Sequence, residues 1–364
     1  MSIQHYIVLL LVAFATTALV TPLAKRIAHR LGIVAIPGAR KIHQVPIPQA
    51  GGLAMLAGIV VMVLVQAAGE AWLGWRGFLS DFGASPALLA SIAAGTLIIF
   101  VVGFIDDLYD IRPGTKFAGQ IIAAAIVALG GLRIDYVSNP FDSSLLAMGD
   151  VLGVALTVIY LVSFANIINL VDGLDGLAAG VAGIAACSLL ALAAGSNQLA
   201  AAIIAVGIVG ATLGFLIYNF PPASIFMGDQ GALTLGFLLG VVSLTGVMKT
   251  TAAIALAVPL LIVGVPIFDT ASAIIRRVRS NRPIKEADKG HIHHRLLGRG
   301  FGQRQTVLII YAWSAMLALG GYAVRYAPAH IRLATVVALL IITALIAYWL
   351  GIFESAQHHD EDGR

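Results

Sequence analysis

The sequence predicts an all-α, polytopic membrane protein. Hydrophobic residues make up 59% of the 364-residue chain and charged residues only 11%, whereas a soluble globular protein carries about 25% charged residues. Apolar segments of about 20 residues, the length that a spanning helix needs, recur along the whole chain. We expect about eleven transmembrane helices, at about 5–23, 50–68, 86–105, 116–132, 148–169, 177–194, 199–218, 231–248, 252–275, 305–323 and 332–352.

The distribution of basic residues predicts how these helices are oriented. Most of the 22 lysines and arginines fall in the loops 24–49, 106–115, 170–176, 219–230 and 276–304. Cytoplasmic loops carry such an excess, so we expect the N-terminus outside, the C-terminus in the cytoplasm and the active site on the cytoplasmic face. No basic residue precedes the first apolar segment, which favours a spanning helix over a cleaved signal peptide.

A single domain is expected. Residues 1–353 are predicted to form one transmembrane catalytic domain, and residues 354–364 a charged, disordered C-terminal tail. Cys187 is the one cysteine and lies in an apolar segment. It cannot form an intramolecular disulfide, and we interpret it as a small buried or lipid-facing side chain.

The first cytoplasmic loop contains cations suited to a phosphate. Arg40, Lys41 and His43 stand shortly before two prolines and a pair of glycines. Their donors match phosphate oxygens, which makes them candidates for binding a lipid phosphate. The alternative is that they are ordinary positive-inside residues attracted to anionic headgroups.

The second cytoplasmic loop opens with three acids. Asp106, Asp107 and Asp110 are spaced so that one helical end would present them in a single patch. Crowded carboxylates repel one another and are held ionised by a cation, and oxygen ligands suit Mg²⁺ or Mn²⁺ better than zinc. Lys116 nearby is a candidate partner for these acids or for a phosphate, while the simpler reading is a helix end with solvated acids.

The third cytoplasmic loop follows directly on an apolar segment and concentrates polar groups. Asn169 and Asp172 are three residues apart and share one face if the helix continues. Asp175 lies between two glycines that free the backbone to turn. Unpartnered polar groups are costly in hydrocarbon, so this stretch is the centre around which we expect the site to form.

The fourth cytoplasmic loop contains an acid between glycines. Asp229 comes just before a predicted span, where it is either a cap for that helix or a metal ligand beside a phosphate site. Phe226 is either a core or anchor residue or a platform on which a base stacks. Asn219 opens the same loop.

The last two features lie near the end of the predicted site. Asp269, in a span interrupted by Pro259 and Pro266, is either functional or a salt-bridge partner of Arg276 or Arg277. The basic loop 276–304 contains His291, His293, His294 and Arg295. Three histidines could bind zinc, but the flanking cations favour a pyrophosphate.

Taken together, acids, amides and a basic histidine loop on one face indicate divalent-metal-assisted phosphoryl transfer. A soluble phosphate ester meeting a lipid acceptor explains why such a site would sit at the membrane edge. Four stretches resemble, in order, the motifs of the polyprenyl-phosphate N-acetylhexosamine-1-phosphate transferases (glycosyltransferase family 4), namely Gly103–Asp110, Asn166–Leu177, Asn219–Gly231 and His291–Arg295.

This resemblance, which covers about Arg40 to Arg304, implies a specific reaction. The chain is similar to the bacterial undecaprenyl-phosphate N-acetylglucosamine-1-phosphate transferases of the inner membrane. These transfer a sugar phosphate from UDP-N-acetylglucosamine to undecaprenyl phosphate, release UMP and use Mg²⁺. Such a reaction begins a teichoic acid, O-antigen or related envelope glycan. A homodimer is implied by resemblance alone, and no nucleic-acid partner is expected.

The resemblance also implies roles for individual residues. Asp229 matches the principal Mg²⁺ ligand, which Asp172 would assist, while Asp106 and Asp107 match the acidic pair that engages the lipid phosphate. Asn169 and Asp172 match polar groups at the catalytic centre. Residues that match the nucleotide-sugar site are Asp175, Asn219, Phe226, His291, His293, His294 and Arg295, with Phe226 stacking on uracil.

Three alternatives remain at this point. The phospho-N-acetylmuramoyl-pentapeptide transferases carry three consecutive histidines, which Ile292 interrupts here. A secondary transporter also has intramembrane acids and broken helices, but it predicts mid-membrane polar groups and repeat symmetry. A CDP-alcohol phosphotransferase wants an Ala-Arg pair that is missing after Asp172-Gly173.

Overall fold

The computed structural model describes residues 3–35, 46–77, 86–138, 145–247, 257–279 and 290–351. These residues form thirteen α-helices and two small hairpins. The helices are α1 (Ile3–Leu31), α2 (Gly51–Leu73), α3 (Pro86–Tyr109), α4 (Pro113–Leu129), α5 (Gly149–Val171), α6 (Leu177–Gly195), α7 (Leu199–Asn219), α8 (Gly228–Val247), α9 (Ala257–Ile262), α10 (Gly264–Arg279), α11 (Ile292–Gly298), α12 (Gln303–Tyr326) and α13 (Ala329–Trp349).

The all-α membrane class is confirmed. Eight of the described helices are long and apolar enough to cross a membrane, namely α1, α2, α3, α5, α6, α7, α12 and α13. The other three predicted spans correspond to the shorter α4, to α8 and to the pair α9–α10. Each predicted span therefore has a helical counterpart, while the count of eleven crossings and the side on which each terminus lies stay predictions.

Helices α7 and α8 form the buried centre of the bundle. Most residues of α7 are buried, and α1 lies against this helix. A Cβ atom built on Gly210 would come within 2.5 Å of the Leu10 carbonyl oxygen, and one on Gly214 within 2.5 Å of the Phe14 carbonyl oxygen. Small residues permit this close backbone approach, which drives helix association where lipid removes the hydrophobic driving force.

Glycines also allow three helices to pack closely against the first turns of α8. A Cβ on Gly52 of α2 would lie 2.4 Å from the Gly231 nitrogen, and one on Gly103 of α3 would lie 2.5 Å from Gln230. A Cβ on Gly236 of α8 would lie 2.3 Å from the Phe164 carbonyl oxygen of α5. These crossings bring the polar ends of α3 and α5 to the start of α8.

The predicted interruption of the ninth span is confirmed at Val263, between α9 and α10. Proline has no N–H group and cannot donate to the preceding turn. Pro266 follows the break by three residues, and hydrogen bonds from Val263 to Pro259 (3.2 Å) and from Ile267 to Val263 (3.1 Å) carry the chain across it.

Two antiparallel hairpins join helices at opposite ends of the bundle. Strand β1 (Val34–Ala35) pairs with β2 (Ile47–Pro48), and β3 (Tyr136–Ser138) pairs with β4 (Leu145–Ala147). The Phe226 N–H donates to the Pro48 carbonyl (2.7 Å), and the Gly51 N–H donates to the Phe226 carbonyl (2.9 Å). The first hairpin thus anchors the loop that precedes Asp229.

Candidate active site

Four of the predicted side chains meet at the end of the bundle where α3, α4, α5 and α8 converge. The Lys116 ammonium contacts Asp106 at 2.8 Å and also contacts Asp229. The Asn169 amide donates to the other Asp229 oxygen at 2.7 Å. Residues separated by more than a hundred positions along the chain therefore share one polar cluster, as expected from the sequence motifs.

Asp107 has a different set of partners from Asp106. Its two carboxylate oxygens accept the backbone N–H groups of Asp229 (2.8 Å) and Gln230 (3.1 Å). Asp107 thereby caps the N-terminus of α8, a position in which a carboxylate satisfies free N–H groups. The sequence-based alternative in which Asp229 caps its own helix is wrong, because Asp107 supplies that cap and leaves the Asp229 side chain for Lys116 and Asn169.

Glycine is required where Asp107 reaches α8. Gly228 has φ +71°, and a Cβ there would lie 2.6 Å from the Asp107 carboxylate oxygen. Asp110, expected in the same acidic patch, instead follows the end of α3 with φ +48° and is exposed. The patch therefore contains two of the three acids.

Asp172 ends α5 and faces the same cluster. It occupies the C-cap position, so the helix carries Asn166 and Asn169 while Asp172 begins the turn. Asn166 pairs with Gln120 and donates to the Val162 carbonyl at 2.8 Å. Burial, together with the charges of Asp229 and Asp107, raises the pKa of Asp172 to about 8.

The loop after Asp172 is held by its own motif residues. The Asn219 side-chain oxygen Oδ1 accepts the Gly176 N–H at 3.0 Å, and the Asn219 side-chain Nδ2 donates to the Ile225 carbonyl at 2.9 Å. The Asp175 carboxylate accepts the Ala223 N–H at 2.9 Å. Asn219 is 3% exposed, so its described contacts position loops 172–176 and 219–228 against each other, and its predicted contact with a nucleotide stays a prediction.

Tyr311 also holds the loop after Asp172, a role that the sequence did not indicate. Its hydroxyl donates to the Gly176 carbonyl oxygen, and a Cβ on Gly180 would lie 1.9 Å from the Tyr311 ring. Arg304, two turns before Tyr311 on α12, donates to the Pro221 carbonyl at 2.8 Å. A lone tyrosine in an apolar span carries no local signal of such a role.

The histidine loop docks on the same side of the bundle. A Cβ on Gly173 would lie 2.8 Å from the His293 ring, so the histidine motif touches the turn between Asp172 and Asp175. His293 is 4% exposed, and burial and the nearby His294 lower its pKa to about 3. His293 is therefore neutral at pH 7, although the motif as a whole was predicted to be cationic.

Asp269 orients the histidine loop. Its oxygens contact the His291 Nδ1 atom at 3.0 Å and accept the Ile292 N–H at 2.9 Å. Asp269 thus caps α11 and pairs with His291, a partner that the sequence analysis did not consider beside Arg276 and Arg277. Arg295 donates to the Gly290 carbonyl at 3.1 Å and to the Gly351 carbonyl. These bonds link the histidine loop to the residues that follow α13.

Phe226 is partly buried in the loop before Asp229, and its backbone is held by the first hairpin. Whether its ring stacks on a base is left as a prediction. Arg40, Lys41, His43 and the tail 354–364 lie outside the described residues.

An apolar groove of about 390 Å³ lies between α4, α5 and α10. Its lining includes Phe117 and Ile121 of α4, Val162 and Ile167 of α5, and Thr270 of α10. Phe117 directly follows Lys116 in α4. The groove therefore borders the helix that carries Lys116.

The polar cluster fits a divalent cation that prefers oxygen ligands. Asp106, Asp172 and Asp229 supply carboxylate oxygens, and the Lys116 ammonium already bridges two of them, which marks a position that accepts positive charge. Among the described residues, no three acidic, histidine or cysteine side chains surround one point. Mg²⁺ commonly binds one or two carboxylates and completes its shell with water and substrate phosphates, so this donor set suits it.

Comparisons with known proteins agree with the motifs. Residues 89–247 match the glycosyl transferase family 4. The probable undecaprenyl-phosphate N-acetylglucosaminyl 1-phosphate transferase of Bacillus subtilis is 36% identical over 346 residues, covering 95% of this chain and 92% of the relative. The decaprenyl-phosphate N-acetylglucosaminephosphotransferase of Mycolicibacterium smegmatis is 36% identical over 330 residues, covering 85% and 80%.

A more distant relative has a similar name. The undecaprenyl-phosphate alpha-N-acetylglucosaminyl 1-phosphate transferase of Salmonella typhi is 28% identical over 318 residues, which cover 86% of this chain and 82% of that protein. The similarity thus extends over most of the chain in each of these comparisons, beyond the four motifs.

Proposed function

This chain belongs to glycosyl transferase family 4, and on that premise we propose that it transfers N-acetylglucosamine 1-phosphate from UDP-N-acetylglucosamine to undecaprenyl phosphate. The products are undecaprenyl-pyrophosphate-N-acetylglucosamine and UMP. The names of relatives at 36% and 28% identity support both the sugar and the lipid. The product would serve as the first membrane intermediate of an envelope glycan.

The convergence of motifs is the observation that carries this function. Asp106, Asn169 and Asp229 come from three different motifs and meet around Lys116, while His293 of the fourth motif touches Gly173 beside Asp172. A transporter reading predicts polar groups near mid-membrane, whereas these groups gather where helices end. Polar groups at helix ends support a catalytic site at the edge of the membrane.

The groove between α4, α5 and α10 supports the lipid acceptor. An isoprenoid chain needs an apolar path, and the groove lining supplies one from Ile121 to Phe117. Lys116 precedes Phe117 on the same helix, and its ammonium is a donor suited to a phosphate oxygen. The acceptor would lie with its tail in the groove and its phosphate at Lys116.

The nucleotide sugar is assigned to the other side of the cluster. Asp175 and the loop 219–228 are locked together through the Ala223 N–H, and Phe226 offers an aromatic face in that loop. His291, His294 and Arg295 stand on or beside α11, where protonated or N–H donors can hold phosphate oxygens. Neutral His293 would contribute an N–H donor and no charge.

Mg²⁺, with Mn²⁺ as a substitute, is the cofactor that we propose, held by Asp229 and Asp172. When bound it would neutralise the pyrophosphate and polarise the phosphorus under attack. Asn169 orients Asp229 through its amide, and Asp107 fixes the start of α8 on which Asp229 stands.

Direct attack by the lipid phosphate is the mechanism that we favour. An acceptor oxygen bonds to the sugar-bearing phosphorus, and the bond from that phosphorus to the bridging oxygen breaks, so that UMP leaves. The acceptor is already an anionic nucleophile, and positioning together with charge stabilisation accounts for most catalysis of phosphoryl transfer. An aspartyl intermediate would add a step without improving the nucleophile.

The membrane setting follows from the same proposal. UDP-sugars are cytoplasmic, so the catalytic edge would face the cytoplasm of a bacterial plasma membrane, in agreement with the positive-inside prediction. The start of α1 lies at the opposite end of the helix from the first hairpin, and Gly351 contacts Arg295 at the catalytic end. An N-terminus outside and a C-terminus in the cytoplasm fit this arrangement.

UMP release from purified protein tests the reaction. The protein in detergent is supplied with undecaprenyl phosphate, Mg²⁺ and either UDP-N-acetylglucosamine or the UDP-muramoyl-pentapeptide, with and without EDTA. We expect UMP from the first donor alone, and none in EDTA. UMP from the second donor would move the protein to the peptidoglycan precursor reaction, and no UMP from either donor would overturn the proposal.

A further inference from the structure

The inference concerns Lys116 and rests on the proposed function. Its ammonium contacts the Asp106 oxygen Oδ2 at 2.8 Å and the Asp229 oxygen Oδ2, and the Lys116 side chain is only 17% exposed. We propose that Lys116 and the divalent cation occupy the position at Asp229 alternately, so that arrival of the metal releases Lys116 towards the acceptor phosphate.

Most carboxylate oxygens of Asp106, Asp107 and Asp229 already have a described partner. Both oxygens of Asp107 accept the N–H groups at the start of α8. On Asp229, Oδ1 accepts the Asn169 amide, and on Asp106, Oδ1 accepts the Ile111 N–H at 3.0 Å. The other Asp229 oxygen, Oδ2, is the one that Lys116 contacts, so a metal held by Asp229 and Asp172 competes with the ammonium there.

Electrostatics makes this competition mutual. A divalent cation and an ammonium repel each other strongly at contact distance in a partly buried site, and neither can share Asp229 Oδ2 with the other at no cost. By linkage, a residue that weakens metal binding is itself displaced by the metal to the same degree. In the metal-free protein, Lys116 neutralises acids that would otherwise repel one another.

The displaced ammonium has a place to go. Lys116 stands in the first turn of α4 on a flexible four-carbon stem, and the next residue, Phe117, lines the groove assigned to the acceptor tail. Metal binding would thus create a free cation on the helix that borders that groove. The metal and the nucleotide sugar would therefore bind first and the acceptor phosphate second. Before the metal arrives, Asp106 and Asp229 hold the Lys116 ammonium that would bind the acceptor phosphate.

Mn²⁺ affinity measured by electron paramagnetic resonance tests the exchange without any turnover. The full-length protein in detergent is titrated with Mn²⁺ as wild type, Lys116→Gln and Arg112→Gln. The arginine variant removes a positive charge from the same loop, four residues away. We expect Lys116→Gln to bind Mn²⁺ about tenfold more tightly, a coupling typical of linked sites, and Arg112→Gln to stay within about twofold of wild type.

Three outcomes separate this inference from the proposed function. Equal tightening in both variants would mean that loss of any nearby positive charge favours Mn²⁺, and it would overturn the exchange. Mn²⁺ binding that is lost in Asp229→Asn but unchanged in Lys116→Gln would remove the exchange and leave the metal assignment in place. No Mn²⁺ binding in the wild type or in Lys116→Gln would remove the metal assignment, and the inference with it.

A second measurement follows Lys116 itself. Amine acetylation of the wild-type protein, read by mass spectrometry, should label Lys116 several-fold faster with saturating Mg²⁺ than with EDTA, since a released ammonium is more accessible. Lys25, in α1 away from the cluster, serves as the internal reference. A Lys116 labelling rate that Mg²⁺ leaves unchanged relative to Lys25 would contradict the release.

Discussion

The Asp107 carboxylate accepts the backbone N–H of Asp229 at 2.8 Å and thereby sets the position of the residue proposed to bind the metal. The two acids belong to motifs 122 residues apart. Their side chains are used differently, because Asp107 caps α8 while Asp229 faces Lys116 and Asn169. This division of labour leads to the first prediction.

Asp107→Asn should lower both stability and turnover. The amide keeps one acceptor but places a donor against a backbone N–H group, and loss of a helix cap costs about 1 kcal/mol. A shift of Asp229 of about 1 Å should reduce kcat about 100-fold. UMP release and the unfolding temperature measure the two effects.

Asp110→Asn is the matched control for that variant, since Asp110 is an exposed acid at the end of the same helix. It should leave both quantities close to wild type. Reduced turnover in Asp107→Asn at an unchanged unfolding temperature would instead place Asp107 in the chemistry, as the motif resemblance implies.

Asn219→Ala should destabilise the protein and weaken nucleotide binding together. The substitution leaves the buried Gly176 N–H and Ile225 carbonyl without the partners that Asn219 provides, at a cost of about 1–3 kcal/mol. The loop that holds Asp175 then loses its position, so KM for UDP-N-acetylglucosamine should rise. Thermal unfolding and steady-state kinetics test both effects.

Ser224→Ala removes a single hydrogen bond to the Tyr218 carbonyl in the same loop and should have a much smaller effect on both. A raised KM for Asn219→Ala at full stability would mean that Asn219 contacts the nucleotide directly.

Phe226→Ala should mainly raise KM for the UDP-sugar. Stacking of a base on an aromatic ring contributes about 1–3 kcal/mol, and about 1.4 kcal/mol corresponds to tenfold. Phe220 lies in the same loop and is 37% exposed, and Phe220→Ala should change KM by no more than about twofold. Equal KM values for wild type and Phe226→Ala would reject the stacking assignment.

Stability should fall with decreasing pH because of His293. Burial lowers the pKa of His293 to about 3, below the value of about 6.5 for an unfolded chain. The unfolded state therefore binds the proton first, and the stability that neutral His293 provides is complete above pH 6.5 and is lost as pH falls from there towards 3.

The predicted loss for this one group between pH 7 and 5 is about 2 kcal/mol. Unfolding temperatures of wild type, His293→Asn and the exposed-site control His29→Gln at both pH values test this. His293→Asn should reduce the pH dependence and His29→Gln should not. The same slope in all three proteins would show that other groups cause the acid sensitivity.

Much of the candidate site was predictable because its signals are local. Asp106 and Asn169 stand where an apolar segment ends and Asp229 stands where one begins, and polar groups in these positions have to serve a purpose or find a partner. The motifs and their order indicated the reaction. The partner of each acid was not predictable, since Asp106 and Asp107 are adjacent in sequence and yet one meets Lys116 and the other caps a helix.

Tyr311 and Asp269 illustrate the same limit. Tyr311 lies in an apolar span and holds the Gly176 carbonyl, while Asp269 caps α11 from a broken helix. Neither contact has a counterpart in local composition or spacing. Both depend on how α12 and α10 pack against loops that are far away along the chain.

The sequence by itself determined the membrane class, the approximate helices and the set of chemical groups available at the catalytic end, because hydrophobicity and charge are properties of each segment alone. Tertiary structure decided which carboxylate caps a helix, which faces a cation and which stays exposed. Those roles depend on the backbone N–H groups that close helix crossings, such as Gly103 against Gln230, bring within hydrogen-bonding distance of each side chain.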